Sequence, residues 1–135
     1  MKGLPIMRIA KHDIPVKFDV PGAVARQLAN FGDATASTAM AGEFFSLAAG
    51  TDIAPLLQGL AGDACQAPHW GYVISGDLVV DYTDGSHDSC SGGDLFHWPP
   101  GHSVRVTDDA EVILFSPTLE HTEVLDHMLD RMQHA

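Results

Sequence analysis

Cys65, His69 and His102 carry the side-chain atoms, one sulfur and two imidazoles, that proteins commonly use to bind Zn²⁺. Iron, nickel, copper or manganese are alternatives, because such ligand types do not select a single transition metal. Cys65 and His69 lie four positions apart, an even spacing, so both side chains leave the same face of a regular strand. Three protein ligands and one open position would describe a catalytic rather than a structural metal site. The fold must therefore bring these three side chains to one enclosed space.

Short strands are predicted between residues 63 and 117, the part of the chain that holds all three side chains. Here apolar residues alternate with polar ones or form β-prone runs, and turn signals separate the runs. The predicted strands are 70–75, which Gly76 ends, 78–82, 95–98, a strand from 104, and 112–115. The predicted turns are Asp84-Gly85, Gly92-Gly93-Asp94, Pro99-Pro100-Gly101 and Asp108-Asp109. About five or six antiparallel strands at this spacing are typical of a barrel or a sandwich.

The flanking segments are predicted to add strands at the N-terminal end and a helix at the C-terminal end. Between residues 1 and 60, apolar residues alternate with polar ones at 7–9 and 14–20, and 42–50 is a further β-prone run. Residues 53–60 fit either a short helix with Pro55 in its first turn or an extended segment. From residue 118 to 135 the apolar residues form one helical stripe, at Leu125, Met128, Leu129 and Met132. We expect this helix to pack against the outside of the barrel or against a second subunit.

Composition and charge argue against several classes of function. The 135 residues fit one domain, and with 45% apolar and 19% charged residues the chain can bury a core. A formal charge of −11 repels phosphate backbones and anionic lipid heads, so we expect neither nucleic acid nor a membrane as a partner. Residues 1–13 lack the apolar run of a signal peptide. We therefore expect a cytoplasmic protein in which Cys65 and Cys90 are thiols.

Two segments resemble the sequence motifs of the cupin superfamily. They are Pro-His-Trp-Gly-Tyr-Val-Ile-Ser-Gly at 68–76 and Gly-Asp-Leu-Phe-His-Trp-Pro-Pro-Gly-His at 93–102. The region 63–117 looks like small single-domain bacterial cupins that have a Cys-x-x-x-His-Trp-Gly-Tyr-Val segment. The resemblance implies an all-β fold, a cupin-type antiparallel β-barrel (double-stranded β-helix or jelly roll) with a C-terminal helix. It further implies one domain over 1–135, with its core at 63–117, N-terminal strands in 1–60 and the helix at 118–135, and a homodimer.

The resemblance also implies a metal site, although this sequence departs from the family's ligand pattern of three His and one Glu. His69 falls at the Glu position, while Asp63 and Cys65 fall at the His-x-His pair. Val104 takes the place of the last His, and His102 lies two residues earlier. If the family's ligand positions face into the barrel, even spacing directs His69, Cys65 and His102 inward as well. We therefore predict that these three residues bind a divalent metal ion, with Zn²⁺ preferred.

Several other residues could join the site or have structural roles. Glu43 is predicted as a catalytic carboxylate acting as acid or base, because its neighbours are apolar. Glu111 is the alternative carboxylate, His97 is expected at the surface or the lip of the barrel, and Asp63 could complete the ligand set or simply occupy a turn. Four further histidines are expected on solvent-exposed surfaces: His87, His121, His127 and His134.

The predicted function is a metal-binding cupin that binds or acts on a small organic molecule inside the barrel. Its enzymatic form would be a metal-dependent isomerase, cyclase, lyase or oxygenase, because a metal ion polarises carbonyl groups or activates water or oxygen. The alternative is a non-enzymatic module that senses or binds a metal or a small molecule. A phosphate-binding glycine loop, a nucleophile elbow and a dinucleotide motif are all absent from the sequence, which argues against the reactions that use them.

Overall fold

The computed structural model describes residues 6–134, in which eight strands and two α-helices are connected by turns. The strands are β1 (Val16–Val20), β2 (Ala23–Leu28), β3 (Asp33–Thr35), β4 (Thr38–Leu47), β5 (His69–Tyr82), β6 (His87–Ser91), β7 (Leu95–Trp98) and β8 (His102–Pro117). The helices are α1 (Ala54–Leu57) and α2 (Thr118–Gln133), and short 3-10 turns lie at Lys11–Asp13 and Ala61–Asp63. The predicted N-terminal zone and C-terminal helix also include residues 1–5 and 135, which lie outside the described residues.

The strands form an antiparallel sheet whose hydrogen-bonded order is β1-β2-β4-β8-β5-β6. β3 pairs with β4, and β7 pairs with the first part of β5. β8 is central, because it pairs with β4 on one side and β5 on the other. Inward-facing residues of β5, β7 and β8 supply most of the main core, among them Val73, Leu78, Val80, Phe96, Trp98, Val106, Val112 and Leu114. The predicted all-β barrel with a C-terminal helix is confirmed.

Side chains alternate between the two faces at the start of β5 and of β8. His69 and Val73 are buried, whereas Trp70 and Tyr72 between them are exposed. Along β8 the buried positions begin at His102 and continue at every second residue through Val104 and Val106. This alternation has the period of two on which the sequence argument for His69 and His102 depends.

Two predicted interruptions of these strands are wrong. Gly76 does not end a strand, because β5 continues to Tyr82 through a stretch of irregular pairing with β8. Its φ of +91° and the close approach of the Asp109 carbonyl oxygen, 2.1 Å from where a Cβ would lie, require glycine there. Asp108-Asp109 is not a turn between strands, since β8 runs through both residues. Both signals mark a bend in long paired strands, where glycine and short polar residues are also favoured.

The N-terminal zone differs from the prediction in part. The strand expected around residues 14–20 is β1, and residues 42–47 of the run at 42–50 are the second part of β4, which ends three residues before Gly50. The alternation at Met7 and Ile9 does not form a strand, and β2 and β3 had no clear signal in the sequence. The ambiguous segment 53–60 contains the helix α1, with Pro55 in its first turn as one alternative required.

The C-terminal helix α2 packs on the barrel through its apolar stripe. Val124, Leu125 and Met128 are buried against Phe18 of β1 and Leu57 of α1. The expectation that the helix packs against the barrel is therefore confirmed, and α2 also becomes part of the wall of an internal cavity. Within residues 6–134, no helix has the length and apolar character needed to cross a bilayer.

Candidate metal centre

Cys65, His69 and His102 meet at one buried point where three chain segments come together. His69 is the first residue of β5 and His102 is the first residue of β8. Cys65 lies before β5 and is tied to His102 by a β-bridge, in which its N–H donates to the His102 carbonyl oxygen at 2.8 Å. One ligand atom from each residue lies within 4.8 Å of the other two. The side chains are only 2–3% exposed, so the point is inside the molecule.

These separations fit the chemistry of the donor atoms. With bonds of about 2.0–2.3 Å to a tetrahedral Zn²⁺, neighbouring ligand atoms lie roughly 3.4–3.8 Å apart. The Cys65 Sγ and His69 Nε2 are already 3.5 Å apart. The three residues therefore fit a divalent metal ion with small side-chain movements.

A carbonyl oxygen fixes the orientation of the His102 ring. The Nδ1–H of His102 donates to the carbonyl oxygen of Pro99 at 2.7 Å, because a carbonyl can only accept. The Pro99-Pro100-Gly101 turn presents this oxygen, and Gly101 there has a φ of +92°, which favours glycine. With Nδ1 protonated, the neutral ring carries its free lone pair on Nε2. That is the atom a metal ion would use.

A serine performs the same task for His69. The Ser116 hydroxyl donates to Oε1 of Glu43 at 2.6 Å, so its oxygen is left to accept the Nδ1–H of His69, also at 2.6 Å. Nε2 of His69 then keeps its lone pair on the side of Cys65. Metal-binding histidines are typically oriented by such a partner on the other ring nitrogen. Ser116 was not singled out in the sequence analysis, since its position in the middle of the barrel depends on the β4–β8 register.

Glu43 is the acceptor at the end of this chain of hydrogen bonds. Its Oε2 accepts the Nδ1–H of His121 at 2.5 Å and the side-chain amide of Gln27 at 2.9 Å. Three hydrogen-bond donors, counting Ser116, thus compensate the loss of hydration of a carboxylate that is only 2% exposed. Glu43 is not among the residues that line the internal cavity, so it lies behind the two imidazoles. Its predicted catalytic role stays a prediction, and this placement favours an action through His121 or His69.

His121 is a site residue that the sequence analysis misplaced on the solvent side of the helix. The ring is 3% exposed, lines the cavity, and lies with its centre 4.3 Å from that of His69. The apolar stripe of α2 includes Val124 and Leu125, and His121 is three and four residues before them, on the same face. This helical spacing is the sequence signal that could have predicted a buried His121. His127 is half-buried on the Gln58 carbonyl, whereas His134 is exposed as expected.

A second group of potential ligands, Glu43, His69 and His121, is explained by hydrogen bonding. Their ligand atoms also lie within 4.8 Å of one another. However, Glu43 accepts a hydrogen bond directly from His121. It also accepts one from the Ser116 hydroxyl, which in turn accepts from His69, so the donors and acceptors of this group are already paired. The Cys65 group differs, because its two imidazole Nε2 atoms are not committed to a stronger partner among the described residues. It is therefore the better candidate for a metal.

Burial keeps the two imidazoles neutral. It lowers the pKa of His69 well below 6.5, and the nearby His121 and His102 rings act in the same direction. Burial also lowers the pKa of His102 to about 4, against the opposing effect of the Pro99 carbonyl. Burial raises the pKa of the Cys65 thiol to about 12, with a backbone hydrogen bond at Ala67 opposing and the nearby Glu43 contributing. Both rings are thus ready to bind a metal at neutral pH, whereas the thiol must lose its proton on binding.

The remaining candidates lie away from this point. Asp63 is exposed and accepts the Gly59 N–H in a turn, as its turn interpretation required. His97 is exposed and stacks on Trp70 outside the barrel. Glu111 accepts from Lys11 and Ser46 in another part of the sheet, and His87 is exposed as expected. The two cysteines are both free, and Cys90 is buried in the main core.

An internal cavity of about 300 Å³ adjoins the candidate metal centre. Cys65, His69, His102 and His121 lie in its wall, and Thr51 and Asp52 are further polar members. The rest is mainly aliphatic and aromatic, contributed by β1, β2, β4, β8 and both helices. Pro21 and Asp52 are exposed members of the wall, so they lie where the cavity meets solvent. A molecule that entered there would reach the candidate metal centre at the inner part.

Comparison with known proteins identifies the fold. No protein-family profile matches the chain, and no curated protein matches it either. Among solved structures, it is similar to oxalate decarboxylase from Lactobacillus farciminis in a formate complex (TM-score 0.59, 20% identity, 88% of this chain and 35% of that chain). It is also similar to a variant of oxalate decarboxylase from Bacillus subtilis (TM-score 0.60, 20% identity, 87% of this chain and 31% of that chain). An RmlC-like cupin from Shewanella frigidimarina matches over 84% of this chain and 93% of its own (TM-score 0.57, 17% identity).

These likenesses show that the chain has the fold of the cupin superfamily, as its two sequence motifs predicted. The chain spans about a third of the length of the oxalate decarboxylases it matches. At 17–20% identity the likeness concerns the fold alone. The chemistry of this chain has to be argued from its own residues.

The buried neutral imidazoles predict that the metal-free protein loses stability in mild acid. Above pH 6.5 His102 is neutral whether the chain is folded or unfolded. Below it, the unfolded chain takes up a proton that the folded chain accepts only near pH 4. The free energy of unfolding should therefore fall across this interval, by up to about 3 kcal/mol from His102. Urea unfolding in the presence of a chelator at successive pH values measures it.

The matched variants are His102→Gln, which removes the buried ring, and His87→Gln, which removes an exposed one. The first should flatten the decline between pH 6.5 and 4, although His69 will still contribute. The second should keep the wild-type profile. An unchanged slope in His102→Gln would show that this imidazole is not held neutral by the fold.

Proposed function

We propose that this protein binds Zn²⁺ through Cys65, His69 and His102 and takes up a small organic molecule in the adjoining cavity. The observation that carries the proposal is the pair of Nδ1 hydrogen bonds, to Pro99 and Ser116, beside a buried thiol. They leave a lone pair on Nε2 of each ring, and one ligand atom of each of the three residues lies within 4.8 Å of the other two. Buried groups of this kind are costly unless something binds them.

Zinc is the proposed ion because one sulfur and two imidazole nitrogens suit its tetrahedral preference. Iron, nickel, copper and manganese are the competitors, and manganese is the least suited to a thiolate. When bound with a free fourth position, such an ion polarises a carbonyl or carboxylate group or activates water. Zn²⁺ has no redox chemistry of its own, so an isomerase, cyclase or lyase is favoured over an oxygenase.

In the enzymatic form, His121 is the proposed acid or base. Its Nδ1–H is held by the Glu43 carboxylate, so the neutral ring would accept a proton at Nε2. Glu43 would then stabilise the imidazolium, as a carboxylate does for histidine in catalytic triads. Glu43 is thus proposed as a positioning residue, and His121 as the group that reaches the bound molecule.

The alternative is a binding or sensing module without turnover. One observation favours it: apart from the three proposed metal ligands, the ionisable residues of the cavity wall are His121 and the exposed Asp52. A wall so poor in acids and bases suits retention of a ligand better than multistep proton transfer. Product formation by the wild-type protein that stops in His121→Gln, with zinc content unchanged, would support the enzyme. Ligand binding without any product would support the module.

The predicted homodimer is proposed to form through an apolar patch on the outer face of the sheet. The patch consists of Trp70, Tyr72 and Ile74 of β5, Leu95 of β7 and Phe115 of β8, which are 41–84% exposed. Trp70 pairs with Phe115 and Tyr72 with Leu95, so the patch is continuous. Contiguous exposed apolar patches on a protein surface commonly mark an interface. The cytoplasmic location stays a prediction from the sequence.

Zinc content tests the metal site directly. Protein expressed without a His tag and purified in zinc-containing medium should carry about one Zn²⁺ per chain by elemental analysis. His69→Ala, His102→Ala and Cys65→Ser should each lose most of it, because two protein ligands hold the ion poorly. His87→Ala and Cys90→Ser are the matched controls and should retain it. Zinc that persists in both histidine variants would mean that the ligands are wrongly chosen.

A graded form of this test concerns Ser116. Ser116→Ala keeps all three ligands but removes the partner that orients His69, so the zinc Kd should rise by about 10–100-fold. Competition with a chromophoric chelator measures it. Ser103→Ala is the control, because the Ser103 hydroxyl is buried without a hydrogen-bond partner among the described residues. Equal affinities in the two variants would contradict the role of Ser116.

The oligomeric state tests the patch. Sedimentation velocity should show a dimer for the wild-type chain and a monomer for Leu95→Glu, because a buried unpaired carboxylate opposes association. Leu119→Glu places the same charge at an exposed leucine of α2, 68% exposed, and should remain dimeric. A wild-type monomer at high concentration, or a dimeric Leu95→Glu variant, would refute the proposed interface.

A further inference from the structure

The wall of the internal cavity indicates which molecules it could hold. Apart from the polar group at its inner part, the wall is formed by side chains such as Phe45, Leu57, Val112, Leu114 and Leu125. Four of these, Leu57, Val112, Leu114 and Leu125, are at most 2% exposed. An apolar surface of this kind gains free energy from an apolar ligand and offers little to a polar one.

The distribution of charge narrows the class further. No lysine or arginine lies among the residues that line the cavity in the described part of the chain. The one acidic residue of the wall, Asp52, is exposed where the cavity meets solvent. The chain as a whole carries a formal charge of −11. A ligand with several negative charges would therefore meet an unfavourable potential and no cationic partner.

The proposed metal ion would add only one net positive charge to the cavity wall. A divalent cation that is bound by the Cys65 thiolate and two neutral imidazoles forms, together with these three ligands, a group with a net charge of +1. One anionic or carbonyl group can satisfy that charge and fill the fourth position. A second charged group would have to lie against the apolar wall without a partner, which is costly.

We infer that the cavity takes an apolar organic molecule with a single metal-coordinating group, such as a medium-chain monocarboxylic acid, and rejects small dicarboxylates. This inference rests on the proposed function, because it uses the metal ion as the one polar anchor. It separates the chain from the oxalate decarboxylases that share its fold, whose named substrate is a dicarboxylate of the smallest size.

The test is calorimetric titration of the zinc-loaded protein with acetate, butyrate, hexanoate, adipate and oxalate. Hexanoate and adipate have the same number of carbons and differ in one terminal group, methyl against carboxylate. Affinity should rise about fourfold per added methylene from acetate to hexanoate, since each buried methylene contributes a fixed increment. Adipate should bind at least tenfold more weakly than hexanoate, and oxalate no more tightly than acetate.

Two variants locate the binding. Ala23→Leu narrows the cavity, because Ala23 lines it, and should weaken hexanoate several-fold while zinc content stays the same. Ala39→Leu makes the same change at a half-buried position of β4 outside the cavity and should bind hexanoate like the wild type. If Ala23→Leu does not fold, the comparison of the acids on the wild-type protein still decides the inference.

The outcomes separate this inference from the proposed function. A protein with one zinc per chain that binds adipate or oxalate as tightly as hexanoate overturns the ligand class and leaves the metal site standing. Equal affinities for acetate, butyrate and hexanoate would also overturn the ligand class and leave the metal site standing. A protein that takes up no zinc overturns both.

Discussion

Two hydrogen bonds on the far side of the His69 and His102 rings determine what the interior of this barrel can do. Each bond uses the Nδ1–H, one with the Pro99 carbonyl and one with the Ser116 hydroxyl. Each therefore leaves the lone pair on Nε2, and the Nε2 of His69 lies 3.5 Å from the Cys65 Sγ. If either ring carried its proton on Nε2 instead of Nδ1, that nitrogen would be an N–H donor with no lone pair for a metal ion.

A single buried carboxylate accepts the hydrogen bonds that would otherwise be missing in this arrangement. Glu43 accepts from Ser116, His121 and Gln27, and so joins strands β2, β4 and β8 to helix α2 inside the protein. Removing it would leave three buried donors unpaired, which is why its contribution to stability and to site geometry cannot be separated by one substitution. Strand β8 contributes to the site at both ends, because it carries His102 as its first residue and Ser116 as its last but one.

Local sequence signals were sufficient for part of this description. The period-two alternation around His69 and His102, together with the cupin-like motifs, predicted the fold and placed both rings inside. The same signals failed at Gly76 and at Asp108-Asp109, because a bend in a continuous strand uses the residue types of a turn. His121 and Ser116 could not be assigned from local patterns, since their roles depend on contacts with residues 43 and 69, far away in the chain.

The hydrogen bonds to Pro99 and Ser116 predict that both imidazoles are neutral, with the proton on Nδ1 and a free lone pair on Nε2, before any metal binds. Long-range ¹H–¹⁵N correlation spectra of the metal-free, ¹⁵N-labelled protein at neutral pH report the protonation state of each ring nitrogen. The assigned signals of His69 and His102 should both have the pattern of the Nδ1–H tautomer. Finding the proton on Nε2 in either ring, or on both nitrogens, would contradict the account.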